Sequence, residues 1–93
     1  MNVNHVDGKD TGKVMLYTLS TCVWCKRTKA LLEELGVAYD YIDVDLLSGD
    51  EETSVVKEIM KFNPDCNFPT MVINDSKCIV GYKEDEIREV LQS

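Results

Sequence analysis

The sequence has no apolar run long enough to cross a bilayer. Its strongly apolar runs, such as residues 14–17 and 70–73, are only four or five residues long, whereas a membrane-spanning helix needs about 20. Residues 1–12 are polar and have neither the apolar stretch nor the cleavage site of a secretory signal. We therefore expect a cytoplasmic protein that does not associate with a membrane.

Basic residues are also scarce. Ten lysines and arginines against seventeen acidic residues give a net charge of −7 over 93 residues, which disfavours nucleic acid or another polyanion as a partner. The hydrophobic fraction of 44% and the charged fraction of 29% are ordinary for a globular protein, and they argue against disorder. The length allows one domain.

A second close pair of cysteines is missing. Four cysteines stand at positions 22, 25, 66 and 78, and only the first two are closely spaced. A structural zinc site usually takes its ligands from two such pairs, and a disulfide framework is typical of secreted chains. Neither arrangement fits this chain, which leaves a single Cys-x-x-Cys motif to explain.

Apolar periodicity predicts one α/β domain with the element order β-α-β-α-β-β-α. The strand–helix–strand unit implies a parallel pair of strands, and the hairpin near the end adds an antiparallel edge. We expect a small mixed four-stranded sheet with helices on both faces, in a domain of residues 13–93 that follows a flexible tail of residues 1–12. Strands are predicted at residues 13–18, 39–44, 70–73 and 78–80, and helices at residues 22–35, 48–60 and 87–91.

The Cys-x-x-Cys motif stands at the predicted start of the first helix, with Thr21 as the expected N-cap. The free N–H groups and the dipole at a helix N-terminus stabilise a thiolate, and Lys26 and Arg27 add positive charge. We therefore predict that Cys22 is a nucleophile stabilised by these three residues. Cys25, one turn later, is expected to lie deeper and to close a disulfide with it. This chemistry is thiol–disulfide exchange.

Phe68-Pro69 stands directly before a predicted strand. Proline is tolerated at the start of a strand, and a cis bond before it would turn the chain sharply. Such a cis bond would leave the backbone of Phe68 free to pair with a substrate strand. Only about 5–6% of X-Pro bonds are cis, so the position of Pro69 alone does not establish the isomer.

Four landmarks occur in order along the chain: Cys-Val-Trp-Cys at 22–25, Tyr-Ile-Asp-Val-Asp at 41–45, Phe-Pro-Thr at 68–70 and Gly-Tyr at 81–82. Together they resemble the dithiol glutaredoxins and glutaredoxin-like redoxins of the thioredoxin superfamily. The resemblance implies the thioredoxin fold, with Cys22 as the attacking thiol, Cys25 as the resolving thiol and Pro69 as a cis proline that faces them. On that ground we predict that the Phe68-Pro69 bond is cis and faces Cys22. It also implies that the protein reduces protein disulfides or mixed disulfides with glutathione.

The same resemblance implies a monomer with no bound cofactor. It also implies that glutathione can reduce the oxidised protein. The substrate-binding residues that it implies are Phe68, Pro69, Gly81, Tyr82 and Asp85.

The chain departs at three places from the glutathione-binding pattern of that family, one of them Asn67-Phe68 before Pro69, where members often have Thr-Val. Leu19 stands where many members have a lysine that meets a glutathione carboxylate, and Tyr82 replaces the second of two glycines. Glu84 and Asp85 keep the acidic part of the pattern. A glycine–aromatic pair is similar to small redoxins that reduce ribonucleotide reductase and are recharged by thioredoxin reductase. Both glutathione and such a flavoprotein therefore stay open as electron donors.

An iron–sulfur cluster carrier is the alternative function, with Cys22 and glutathione as ligands; the second thiol of the motif competes with it. Trp24 is expected to cover surface beside Cys22. Cys66 lies in a loop near Pro69, and Cys78 is expected to be a buried small side chain. Asp43 and Asp45 are interpreted as polar residues at a strand end, without acid–base or metal-binding roles.

Overall fold

The computed structural model describes residues 3–92. A five-stranded sheet with the order β1-β3-β2-β4-β5 lies between helices. Strands β2 and β3 are parallel and all other neighbours are antiparallel. The elements are β1 (Asn4–Val6), β2 (Val14–Thr18), α1 (Val23–Leu35), β3 (Tyr39–Asp43), a 3₁₀ turn (Val44–Leu46), α2 (Gly49–Phe62), β4 (Thr70–Ile73), β5 (Lys77–Val80) and α3 (Glu84–Gln92).

The two faces of the sheet carry separate hydrophobic clusters, because successive side chains of a strand point to opposite faces. Helices α1 and α3 cover one face, and α2 covers the other. This confirms the predicted three-layer arrangement and the thioredoxin-like fold. The first cluster includes Val14, Leu16, Leu31, Leu32, Met71, Ile79, Ile87 and Leu91; the second includes Tyr17, Ile42, Val44, Leu47, Val55, Ile59 and Val72.

Helix α1 ends where the sequence predicts. Gly36 adopts the left-handed conformation with φ of 70°, and its N–H donates to the carbonyls of Leu32 and Glu33. Glycine adopts this conformation without the steric cost that a side chain brings. The chain can therefore turn directly from α1 into β3.

Strand β1 is a fifth strand that the sequence analysis does not predict. It pairs antiparallel with β3, with Asn4 opposite Tyr41 and Val6 opposite Tyr39. Further along, Lys9 pairs with the segment between α1 and β3, where its N–H donates to the Gly36 carbonyl and its carbonyl accepts from the N–H of Ala38. Part of the segment for which the sequence analysis expects a loose tail is thus paired with the sheet, while Met1 and Asn2 lie outside the described residues. Backbone pairing to an edge strand accounts for the order, although the side chains of Asn4 and His5 are exposed.

The hairpin of β4 and β5 is confirmed, with Asn74 and Asp75 at its turn. Both have positive φ, 54° and 56°, as a tight hairpin turn requires and as these two residue types tolerate. Among the helices that the structure describes, none is long and apolar enough to cross a membrane.

Candidate active site

Cys22 is itself the N-cap residue of α1. Its backbone is extended, with φ of −85° and ψ of 118°, and its Sγ accepts a hydrogen bond of 3.2 Å from the N–H of Cys25. In most helices a serine, threonine, aspartate or asparagine oxygen fills this place. The prediction of Thr21 as the N-cap is therefore wrong, because the chain enters the helix one residue later. A sulfur in the N-cap position receives the helix N–H directly.

Cys25 is fully buried behind Cys22, with no exposed surface. Burial above all, together with the hydrogen bond to the Cys22 sulfur, raises the pKa of its thiol to about 12. Cys22 is partly exposed. Cys22 is therefore the more accessible of the two sulfurs, and its role as the attacking thiol stays a prediction.

The two basic residues after Cys25 lie exposed on the outer face of the first turns of α1. The backbone N–H of Lys26 donates to the carbonyl of Cys22 over 3.1 Å. The Arg27 guanidinium lies over the Trp24 ring, 4.9 Å from its centroid. Both carry positive charge into the first turns of the helix, and their predicted effect on a Cys22 thiolate stays a prediction.

Trp24 and Tyr82 form an aromatic pair beside the motif. Their ring centroids are 5.8 Å apart at an interplanar angle of 32°, and Trp24 is 53% exposed. The Tyr82 hydroxyl donates to Glu84 Oε1 over 3.3 Å, while Glu84 Oε2 accepts from Arg88 Nε over 2.8 Å. Both carboxylate oxygens of Glu84 are therefore engaged within the protein.

The Phe68-Pro69 peptide bond is cis, as predicted. Pro69 directly precedes β4, and its carbonyl accepts a hydrogen bond of 2.8 Å from the N–H of Gly81. Thr70, the next residue, pairs with Tyr17 near the end of β2 that leads to Cys22. The fold thus brings Pro69, Gly81 and the cysteine motif to the same end of the sheet.

Asp85, which was predicted to bind substrate, lies exposed on the first turn of α3. Phe68 is half-buried and packs against the hydrophobic cluster under α2. These two positions flank the motif region from α3 and from the loop before β4. Their contact with a substrate stays a prediction.

Comparison with known protein families matches residues 14–78 to glutaredoxin. The chain belongs to the glutaredoxin family. Its sequence is 59% identical to that of the glutaredoxin from Methanosarcina mazei Go1. The crystal structure of that protein superimposes with a TM-score of 0.91, over 98% of this chain and 88% of that one. The chain is 52% identical to Methanosarcina acetivorans methanoredoxin, with a TM-score of 0.89 and coverage of 92% and 90%. The Gene 56 protein of Mycobacterium phage D29 is 30% identical over 78 residues, which are 84% of this chain and 81% of the phage protein.

In this glutaredoxin-family chain, two aspartates beyond the motif have roles that sequence reasoning missed. Asp43 accepts a hydrogen bond from the buried Thr18 hydroxyl. Asp45 accepts from both the N–H of Ser20, over 2.8 Å, and its hydroxyl. Thr18 and Asp43 are directly paired between β2 and β3. Ser20 and Asp45, which each stand two residues later, form the second contact in the same register. The signal in the sequence is a pair of hydroxyls and a pair of carboxylates with equal spacing, at and just beyond the ends of two neighbouring parallel strands.

The Asp45–Ser20 contact fixes the loop that carries Cys22. The loop also closes on itself, since the N–H of Cys22 donates to the carbonyl of Leu19 over 3.2 Å. Hydrogen bonds from Ser20 hold the pKa of Asp45 below its usual value of 3.8. The charged carboxylate is therefore the form that the folded loop prefers.

We expect Asp45→Asn to weaken the acid dependence of stability. Because the pKa of Asp45 is lower in the folded state, its carboxylate stabilises the fold above about pH 4 and loses this contribution as the pH falls through the folded-state pKa. Urea unfolding at several pH values between 2 and 7 measures the effect. The exposed Asp65, changed to asparagine, serves as the matched control. Identical pH profiles for Asp45→Asn and the unmodified protein would contradict the role of this contact.

Proposed function

We propose that this glutaredoxin-like protein is a thiol–disulfide oxidoreductase that reduces protein disulfides through Cys22 and Cys25. The observation that carries the proposal is the geometry of the pair: a partly exposed sulfur at the helix N-cap, with a fully buried thiol one turn behind it. An accessible sulfur next to helix N–H groups is suited to attack, and a protected thiol is suited to resolve the product.

The reaction transfers two electrons in two exchange steps. The Cys22 thiolate attacks a partner disulfide R–S–S–R′, forms a mixed disulfide Cys22–S–S–R and releases R′–S⁻, which takes up a proton. Cys25 then gives up its proton, which ends on the released thiolate, and attacks the Cys22 sulfur. This step closes the Cys22–Cys25 disulfide and releases R–S⁻, which is protonated in turn. The partner disulfide is reduced to two thiols, and the protein dithiol is oxidised.

The electron donor is proposed from the surroundings of the motif. Three features disfavour tight binding of glutathione: Leu19 packs against the core under α2 where a cation is needed, Tyr82 lies against Trp24, and Glu84 is already bonded twice. An exposed aromatic surface beside a reactive sulfur instead suits a protein partner. We therefore expect a thioredoxin-reductase-type flavoprotein to be at least as good a donor as glutathione.

Protein disulfides, with ribonucleotide reductase as one candidate, are the proposed substrates, and the cytoplasm is the compartment where such a reductant is needed. The aromatic surface and the buried resolving thiol support this choice over a glutathione-dependent cluster carrier.

The experiment offers the oxidised protein both electron donors separately and follows the reduction of insulin disulfides. We expect the flavoprotein and NADPH to support turnover at a rate at least equal to that with millimolar glutathione. The protein with Cys78→Ala is the control for thiols outside the motif. If neither donor supports insulin reduction, the exchange function is refuted. If glutathione supports it and the flavoprotein does not, the proposed donor is wrong.

A further inference from the structure

Lys29 is a lysine whose charge is held inside the protein near the motif. It lies one helical turn after Cys25 on α1, and its side chain is only 20% exposed. Its Nζ is 3.2 Å from Asp43 Oδ1 and 4.0 Å from the centroid of the Tyr41 ring. A lysine at a free surface would extend into water. Here the ammonium is directed inwards, toward the end of β3.

Asp43 is itself fixed. Its carboxylate is 15% exposed and accepts the hydrogen bond from Thr18, whose side chain is completely buried at the end of β2. Thr18, Asp43 and Lys29 therefore form a chain of polar contacts from β2 through β3 to α1. These three residues lie at the end of β2, where the loop that carries Cys22 begins.

Residues four apart on a helix lie on the same face, with Cβ atoms about 5–6 Å apart. Lys29 is thus the near cation on the face of α1 that also buries Cys25. Its positive charge favours the ionised form of Cys25, whereas burial and the Cys22 sulfur oppose it. The acidic groups that face Lys29 are Asp43 and Asp45, and Asp45 is bonded twice to Ser20.

The resolving step requires this buried sulfur to become an anion. Water cannot solvate it, because Cys25 has no exposed surface, and an uncompensated buried charge is costly. We propose that Lys29 is the charge partner of Cys25 in the resolving step, and that Asp43, Thr18 and Tyr41 are positioning residues that hold its ammonium in place. This inference rests on the proposed exchange reaction and assigns the charge that its second half needs.

The test separates the two halves of the reaction with an aromatic disulfide, 5,5′-dithiobis(2-nitrobenzoate). Attack by Cys22 releases one coloured thiolate, and resolution by Cys25 releases a second. Stopped-flow absorbance follows both phases between pH 6 and 10, with Cys66 and Cys78 replaced by alanine in every variant. The first phase reports whether Cys22 performs the proposed exchange. The second phase reports the role of Lys29, so the two ideas fail separately.

For Lys29→Met we expect the second release to slow about fivefold at every pH from 6 to 10, because loss of the nearby positive charge lowers the ionised fraction of Cys25. Lys29→Arg keeps the charge and should stay within about twofold of the parent. Asp43→Asn loosens the ammonium and should slow the second release by less. Lys57→Met, on the exposed face of α2, is the matched control and should leave both phases unchanged.

Lys29→Met leaves the Asp43 carboxylate without its cation, which could destabilise the fold. The double variant Lys29→Met/Asp43→Asn removes both charges and therefore avoids an unpaired carboxylate. The double variant should show the same slow second phase. A second phase with the parent's rate throughout this pH range in either variant would overturn the proposal. Equal slowing by Lys29→Arg and Lys29→Met would also overturn it, since it would assign the effect to packing and not to charge.

Discussion

Replacing Cys22 by serine is expected to abolish insulin reduction, with a loss of at least about a thousandfold, because a hydroxyl is a far weaker nucleophile toward sulfur than a thiolate. Cys25→Ser should behave differently. Its Cys22 sulfur still attacks, but nothing within the protein resolves the product, so the mixed disulfide accumulates. The mixed disulfide should therefore accumulate in Cys25→Ser and be absent in Cys22→Ser.

Mass spectrometry under non-reducing conditions distinguishes the two outcomes. The Cys25→Ser protein should carry the mass of one bound substrate thiol, and the Cys22→Ser protein should carry none. Cys78→Ala, outside the motif in β5, is the control and should keep the activity of the parent. Accumulation of the adduct on Cys22→Ser instead would assign the attack to Cys25 and contradict its complete burial.

Most of the fold follows from short patterns in the sequence. Buried apolar runs mark β2 and β4, apolar residues at helical spacing mark α1 and α2, and Gly36 marks the end of α1. Strand β1 has no such pattern, because two of its three residues are exposed. It is held by backbone hydrogen bonds to β3, and backbone groups are the same in every sequence.

The candidate site, like the fold, is predicted from the sequence only in part. Cysteine spacing and the position of the motif at a helix start are sufficient to predict Cys22 and Cys25, whereas the cis bond before Pro69 is predicted from the resemblance to the glutaredoxins. The N-cap role of Cys22 was missed because cysteine is not among the residues that usually cap a helix. The bonds of Asp43 and Asp45 depend on the register of two parallel strands, which local pattern does not fix.

Restoring the missing features of a glutathione site should raise affinity for glutathione by about 30-fold in the double variant Leu19→Lys/Tyr82→Gly, equivalent to about 2 kcal/mol. Leu19 is half-buried against the cluster under α2, so a lysine there can pack its stem and extend its ammonium to solvent. That ammonium adds one charge-assisted contact to a carboxylate. Removing the Tyr82 ring opens the surface next to Trp24 and frees Glu84 Oε1 from its bond to Tyr82.

Titration of reduced glutathione into the Cys25→Ser background, followed by backbone amide NMR, measures this gain. Leu46→Lys is the matched control for charge: this leucine is 66% exposed in the 3₁₀ turn that also carries Asp45, and its replacement adds the same cation at a different place. It should raise affinity by less than about twofold, since an exposed charge without a fixed partner contributes little. Tight binding by the unsubstituted background, with shifts at Phe68, Gly81 and Asp85, would show that neither Leu19 nor Tyr82 excludes the tripeptide. Equal gains from lysine at 19 and at 46 would instead assign the effect to net charge, because the acidic chain repels an anionic ligand wherever a cation is missing.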